Sequence, residues 1–289
     1  MKLAITADLH RGMSPKGDAA TLALVQQVAE LQPDALVLAG DLGEGEQFAA
    51  CLRLFRELPC AKLLVPGNHD LWTHDPSPAS LELYEEGLPA IAAEHGFHYL
   101  DRAPYLSADS MEAVVGSINW YDYSFADPEL EQEIPDVRAM YQAKRFPHGQ
   151  HNDGRYIHLG MSDAAFTRRV VDRFRDQLRG LPGNVERVTV IQHHPPVRAL
   201  FYPTPLVTVD QRVWLAYTGN RRMQDLVLNE PRVRHVICGH THAACEADIL
   251  GKRCLNIGGD YGWKRLLLLD TVTGEEQSWE FGREAGTVR

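Results

Sequence analysis

Leu3-Ala4-Ile5-Thr6-Ala7-Asp8-Leu9-His10 is a run of five β-type residues that stops on a carboxylate and an imidazole. The same construction repeats along the first seventy residues. Ala35 to Ala39 stops on Gly40-Asp41, and Lys62 to Val65 on Pro66-Gly67-Asn68-His69-Asp70. Between these runs lie helical patterns, Ala19 to Leu31 and Gln47 to Leu58, closed by Pro33 and Pro59. The first places Leu22, Val25 and Ala29 on one stripe, the second Phe48, Leu52 and Phe55. This βαβαβ order predicts parallel strands with helices packed over them.

A second set of such units comes late in the chain. Phe166, Val170, Phe174 and Leu178 sit at helical spacing behind a capping Ser162, followed by β runs at Val188 to Ile191 and Val233 to Cys238. These two runs stop on Gln192-His193-His194-Pro195-Pro196 and on Gly239-His240-Thr241-His242. The tail from Glu246 to Phe281 reads as short strands broken by Gly251, Gly258, Gly259 and Gly274, a sheet ending in antiparallel pieces. The middle has a different texture. An alanine-rich helical stretch, Pro78 to His95, and strand-like runs at Phe97 to Leu100 and Val114 to Trp120 lead into residues 121–160. That segment mixes aromatics, prolines, charges and histidines without periodicity, and reads as an inserted cap or loop region within a single domain spanning 1–289.

Composition narrows the function. The chain has 289 residues, 44% hydrophobic, and a formal charge of −10 from 39 acidic and 29 basic residues. This balance argues against a broad duplex nucleic-acid surface, which needs clustered Lys and Arg. No apolar run approaches the roughly 18 residues of a membrane span. Five cysteines without a C-x-x-C pair suggest neither a disulfide framework nor a thiolate zinc knot. The expectation is a soluble, cytoplasmic protein with no membrane partner.

The strand ends carry the chemistry. In an open parallel sheet, ligands bind beyond the carboxyl ends of the strands, so five loops converge there. Carboxylate, imidazole and amide oxygen together suit divalent Mn, Fe, Zn, Co or Ni. In Asp8-x-His10 and His240-x-His242 the alternating spacing puts two side chains on one side of an extended strand end. A bridging carboxylate such as Asp41 is what two ions about 3.5–4 Å apart need.

In this order, D-x-H, G-D, G-N-H-D, H and G-H-x-H, the motifs resemble the calcineurin-like metallophosphoesterases, and they run from Asp8 to His242. The resemblance implies an α/β fold, a four-layer α/β/β/α sandwich with two mixed sheets flanked by helices. It implies one ion held by Asp8, His10 and His242, a second by Asn68, His193 and His240, and Asp41 bridging both. His69 then faces the substrate phosphate as a catalytic group. Asp70 and Glu44 are both candidates to orient it. His194 is the neighbouring alternative to His193, which stands at the strand end in H-x-P spacing. The implied reaction is hydrolysis of a phosphomonoester or phosphodiester, with hydroxide generated from water at two divalent ions. For contact with a small phosphate-ester substrate, Trp72 and His74 follow the G-N-H-D loop directly. Tyr121, Tyr123, Arg145, His148, His151 and Arg155 stand in the inserted segment. Rival expectations are a catalytically silent scaffold on the same fold, which would have lost ligands or His69, and a nuclease-type phosphodiesterase, which the acidic balance disfavours.

Overall fold

The computed structural model describes residues 1–75, 79–147, 149–204, 206 and 208–283, without the side chain of Asp210. Its strands are β1 (Lys2–Thr6), β2 (Ala35–Ala39), β3 (Ala61–Val65), β4 (His98–Tyr99), β5 (Tyr105–Leu106), β6 (Glu112–Ser117), β7 (Arg145–Phe146) and β8 (Gly149–Gln150). They continue with β9 (Arg187–Gln192), β10 (Val233–Cys238), β11 (Cys245–Ile249), β12 (Lys252–Asn256), β13 (Lys264–Asp270) and β14 (Glu276–Phe281). One six-stranded sheet has the order β14-β13-β1-β2-β3-β4, the other β11-β12-β10-β9-β6-β5, and β7-β8 form a separate hairpin. Both large sheets are mixed. β1, β2, β3 and β4 run parallel, as do β6, β9, β10 and β12, with antiparallel strands at the margins.

Strand periodicity explains the layering. Alternate residues of a strand face opposite sides. Leu3, Ile5, Val37, Leu63 and Val65 of one sheet meet Val114, Ile191, Ile237 and Leu255 of the other in an inter-sheet core. Their neighbours Ala4, Leu36, Leu38 and Leu64 face outward against the helices α1 (Pro15–Leu31) and α2 (Glu46–Leu54), through Leu24, Val28, Phe48, Leu52 and Phe55. Val115, Val188, Val190 and Val236 do the same for helices Asp163–Gly180 and Arg221–Asn229, through Phe166, Val170, Phe174, Met223 and Val227. The result is helix, sheet, sheet, helix, the α/β/β/α sandwich. Each buried Leu, Val or Phe contributes about 1.5–3 kcal/mol by leaving water.

Helix ends follow local chemistry. Ser14 accepts from the Gly17 amide with Pro15 in the first turn, and Ser162 accepts from the Ala165 amide. The stripe read for α1 needs correction: Leu22 is exposed, and the buried face is Ala20, Thr21, Leu24 and Val28. Both stripes have helical spacing, and only packing against β13 and β14 chooses between them. The alanine-rich stretch is also interrupted. Its first residue, Pro78, lies outside the described residues; from Ala79 the chain turns through a π-helical segment, Leu83–Gly87, before Leu88–Glu94. Pro89 explains this, since it has no N–H for the Glu85 carbonyl and its ring crowds it. The Arg102 guanidinium donates to that carbonyl instead.

Residues 121–160 hold short helices at Leu130–Glu133, Val137–Ala143 and Asp153–Tyr156 around the β7-β8 hairpin. Tyr121, Leu130, Val137, Tyr141 and Leu159 are buried and belong to the same apolar cluster as Phe166 and Val170. Among the described residues, no helix is long and apolar enough to cross a membrane, and all five cysteines are free thiols.

Candidate metal centre

β1, β2 and β3 lie side by side in one sheet, β9 and β10 in the other, and their carboxyl ends meet at one edge of the sandwich. Beyond them the chain turns sharply. Asp8, His10, Asp41, His240 and His242 all have left-handed backbone, with φ of 56°, 43°, 54°, 75° and 57°. Such angles cost a non-glycine residue about 1–2 kcal/mol each, and concentrations of them mark functional sites. Close approach adds a further demand. A Cβ on Gly40, itself at φ 90°, would stand 2.4 Å from His193 Nδ1, and one on Gly67 would stand 2.1 Å from Asp41 Oδ1.

The side chains form two groups around Asp41. In the first, one ligand atom each from Asp8, His10, Asp41 and His242 lie within 4.8 Å of one another. His10 Nε2 is 3.0 Å from His242 Nε2 and 3.6 Å from Asp41 Oδ2, and His242 Nε2 is 3.9 Å from Asp8 Oδ1. In the second, Asn68 Oδ1 is 3.1 Å from His193 Nε2 and 3.2 Å from His240 Nδ1, and His193 Nε2 is 3.3 Å from Asp41 Oδ1. Imidazole nitrogens, carboxylates and an amide oxygen crowded at such distances can turn lone pairs toward a common point. This set fits divalent cations.

Electrostatics agree with a site built for positive charge. Burial alone would raise the Asp41 carboxyl, but His193, His69 and His10 hold it well below the ordinary range. For Asp8 burial prevails and the carboxyl is raised. Burial pushes the imidazoles of His10 and His240 well down, favouring neutral, ligating rings. His193, equally buried, is raised to about 9 because Asp41 and Asp8 face it. His194 is outside the cluster. Its Nδ1 lies 2.9 Å from the Ile118 carbonyl, its ring packs on Trp120 and His240, and burial lowers it to about 3.

His69 borders both groups. Its Nε2 is 3.9 Å from Asp41 Oδ2, its ring stacks on Trp72 with centroids 3.7 Å apart, and its Nδ1 is 3.2 Å from Glu44 Oε1. Burial would lower this imidazole, yet Asp41 and Glu44 raise it on balance. Asp70 has no hydrogen bond to this ring. Its Oδ1 accepts from the Leu42 and Gly43 amides and its Oδ2 from the Gly67 amide. The carboxylate expected to serve as a catalytic group is therefore committed to fastening two loops together, and Glu44 takes the position beside His69.

A cleft of about 230 Å³ opens over this cluster, lined by Asp41, Asn68, His69, Trp72, Gln150, His151, Asn152, Tyr202, Trp214, Tyr217, Thr218, His240, Thr241, His242 and Tyr261. Of the residues expected to contact substrate, Trp72 and His151 line it. His74, exposed, packs edge-on to Tyr156 away from the lining. Tyr121 is fully buried and donates to Asp153 Oδ2 at 2.8 Å, and Tyr123 donates to Asp163. Arg145 and Arg155 are exposed outside the lining, and His148 lies outside the described residues. In 121–160 Tyr121, Phe125 and Tyr141 pack inward as core, Tyr123, Phe146 and Tyr156 are half-buried, and the polar tip 150–152 reaches the cleft.

Several lining residues escaped the sequence reading. Tyr261, whose ring lies 4.6 Å from that of His10 and 5.1 Å from that of His242, follows β12. Because β12 pairs parallel with β10, its loop opens at the same edge. Gly258-Gly259 before Tyr261 is the available signal, but read only as a break between short strands of a sheet ending in antiparallel pieces it does not place β12 parallel to β10. Trp214 and Tyr217 carried no signal, nor did Asp153, which is buried behind the lining. Burial would raise the Asp153 carboxyl, but His151 and hydrogen bonds from Asn68, Trp72 and Tyr121 keep it below the ordinary range.

A calcineurin-like phosphoesterase family model matches residues 1–244. The fold is similar to that of a phosphopantetheinyl hydrolase from Mycobacterium tuberculosis, with TM-score 0.68, 21% identity and 90% coverage of each chain. It is also similar to a dimetal phosphatase from Danio rerio, with TM-score 0.56, 12% identity, and coverage of 96% of this chain and 98% of that one. No curated protein matches the sequence. With the motifs in order, the sandwich formed and the Asp and His side chains gathered at its edge, the chain belongs to the calcineurin-like phosphoesterase family.

Proposed function

We propose that the chain hydrolyses a small phosphate ester, mono- or diester, at two divalent cations bridged by Asp41. One observation carries this reading: Asp41 Oδ2 faces His10 while its Oδ1 faces His193, so one carboxylate serves two separate donor groups. Asp8, His10 and His242 would hold one ion and Asn68, His193 and His240 the other. Two such ions supply water of lowered pKa and electrostatic stabilisation of the phosphoryl oxygens.

The protein's own groups do the rest. His69, with Nδ1 on Glu44, keeps Nε2 toward the cluster, where it can donate a proton to the departing oxygen. Trp72 stacked on its ring restricts its rotation. Trp214, Tyr217, Tyr202 and Tyr261 provide aromatic walls, and Gln150, Asn152, Thr218 and Thr241 polar edges. Among the described lining residues there is no Lys or Arg. Binding of the anionic phosphate thus falls to the cations, and the remainder of the substrate meets a neutral surface. This favours a small ester over a nucleic-acid backbone.

The test is metal analysis of the purified protein, with hydrolysis of aryl phosphomonoesters and diesters in added Mn. Two equivalents of metal and activity abolished in Asp41→Asn support the proposal. Metal at trace level, or activity untouched by that substitution, overturns it.

A further inference from the structure

Asp153 stands in the inserted segment, at the start of helix Asp153–Tyr156, and supplies no atom to either ligand group. Yet it is fully buried and contacts the site from below. Its Oδ1 accepts from Asn68 Nδ2 at 3.0 Å and from Trp72 Nε1 at 2.8 Å. Its Oδ2 accepts from the Tyr121 hydroxyl at 2.8 Å. The two cleft-side donors are the amide assigned as a ligand and the indole that stacks on His69.

An ionised carboxylate only accepts hydrogen bonds. It must therefore face the NH₂ end of the Asn68 amide, which turns Oδ1 toward His193 and His240. An amide turned the other way would present two N–H donors to a cation. We infer that Asp153 is the positioning residue that fixes the orientation of Asn68 and the plane of Trp72, and thereby links the inserted segment to one of the two metal positions.

Resting on the dinuclear reading, the inference separates the two positions. Loss of this carboxylate should affect the Asn68-His193-His240 position and spare Asp8-His10-His242. Outer hydrogen bonds of this kind typically affect metal affinity by about 10–100-fold.

The experiment is calorimetric titration of metal-depleted protein with Mn, alongside thermal melting, for the wild type and three variants. The variants are Asp153→Ala, Asp153→Leu, which fills the same space without an acceptor, and Asp153→Asn. In Asp153→Ala and Asp153→Leu, one equivalent should bind as in the wild type and the other about 10–100-fold more weakly. Asp153→Asn keeps an acceptor oxygen toward Asn68 and Trp72 and turns its NH₂ group to the Tyr121 hydroxyl, which can accept, so it should bind both equivalents nearly as the wild type does. Two equivalents of wild-type affinity in an acceptor-free variant that still melts cooperatively, or weakened binding in Asp153→Asn equal to that of Asp153→Leu, overturns the role of Asp153. A wild type that binds fewer than two equivalents overturns the dinuclear reading itself.

Discussion

His69 is the residue on which the proposed chemistry turns, and its surroundings show why it is not simply another ligand. Its ring is held on one face by Trp72 and at Nδ1 by Glu44, while its backbone N–H donates to Asp41 Oδ1 at 2.9 Å. The imidazole is thus placed beside the bridging carboxylate without surrendering Nε2 to it. His69→Ala should retain both equivalents of metal by elemental analysis while turnover falls about 10²–10⁴-fold, the usual contribution of a positioned acid. Loss of metal in that variant would show that His69 is a ligand. Glu44→Gln keeps a weaker partner at Nδ1 and should cost less, about 10-fold in turnover, the size of one charge-assisted hydrogen bond. An undiminished rate in Glu44→Gln would mean that the contact does not orient the ring.

At the scale of elements, the site depends on loops that are stitched to one another. The loop after β3 folds into a short 3₁₀ turn, His69–Leu71, and from it Asp70 gathers amides of the loop after β2 and of its own. All three donors are buried backbone N–H groups, and removing their acceptor leaves them unsatisfied. Asp70→Ala should therefore destabilise the fold by about 3 kcal/mol, seen as a melting temperature lower by on the order of 5–10 °C. An unchanged melting temperature with a lost pH optimum would instead return Asp70 to a catalytic role. The legibility of the two halves differs at this scale. β2 and β10 begin and end where their apolar runs do, and Ser162 caps its helix as its sequence suggests, because these signals are local. The face of α1 was not legible, since it depends on the neighbouring sheet, whereas the break at Leu83–Gly87 had a local signal in Pro89 that reading Pro78 to His95 as one helical stretch passed over.

For the molecule as a whole, the metal centre lies across the seam between the two sheets, fed by β1, β2 and β3 from one side and β9 and β10 from the other. Cations bound there would tie the layers together as well as serve catalysis. They would also offset the buried carboxylates Asp8 and Asp41, which are 0% and 1% exposed. A ligand that binds only the folded state stabilises it by about 4 kcal/mol at a thousandfold excess over its dissociation constant. Exhaustive chelation should accordingly lower the melting temperature by on the order of 10 °C, with recovery on adding Mn. A melting temperature indifferent to chelator would mean that the seam holds without cations.

The sequence by itself determined the βαβαβ order of the first seventy residues, the later helix and strands Asp163–Gly180, β9 and β10, and the family, because five strand ends each carry a local motif; helix Arg221–Asn229, between β9 and β10, escaped it. It also pointed to Asp8, His10, Asp41, Asn68, His69, His193, His240 and His242 as one cluster, since parallel strands must open their carboxyl ends at a common edge. Only the tertiary structure decided which carboxylate reaches His69, that His194 turns to the Ile118 carbonyl, and that Tyr121 is buried and Tyr123 tied to Asp163 while Tyr261 lines the cleft. The physical reason is range. A strand-end motif is written in adjacent residues, whereas Glu44 against His69, or Asp153 against Asn68, is a meeting of groups 25 and 85 positions apart. Packing alone brings such groups together.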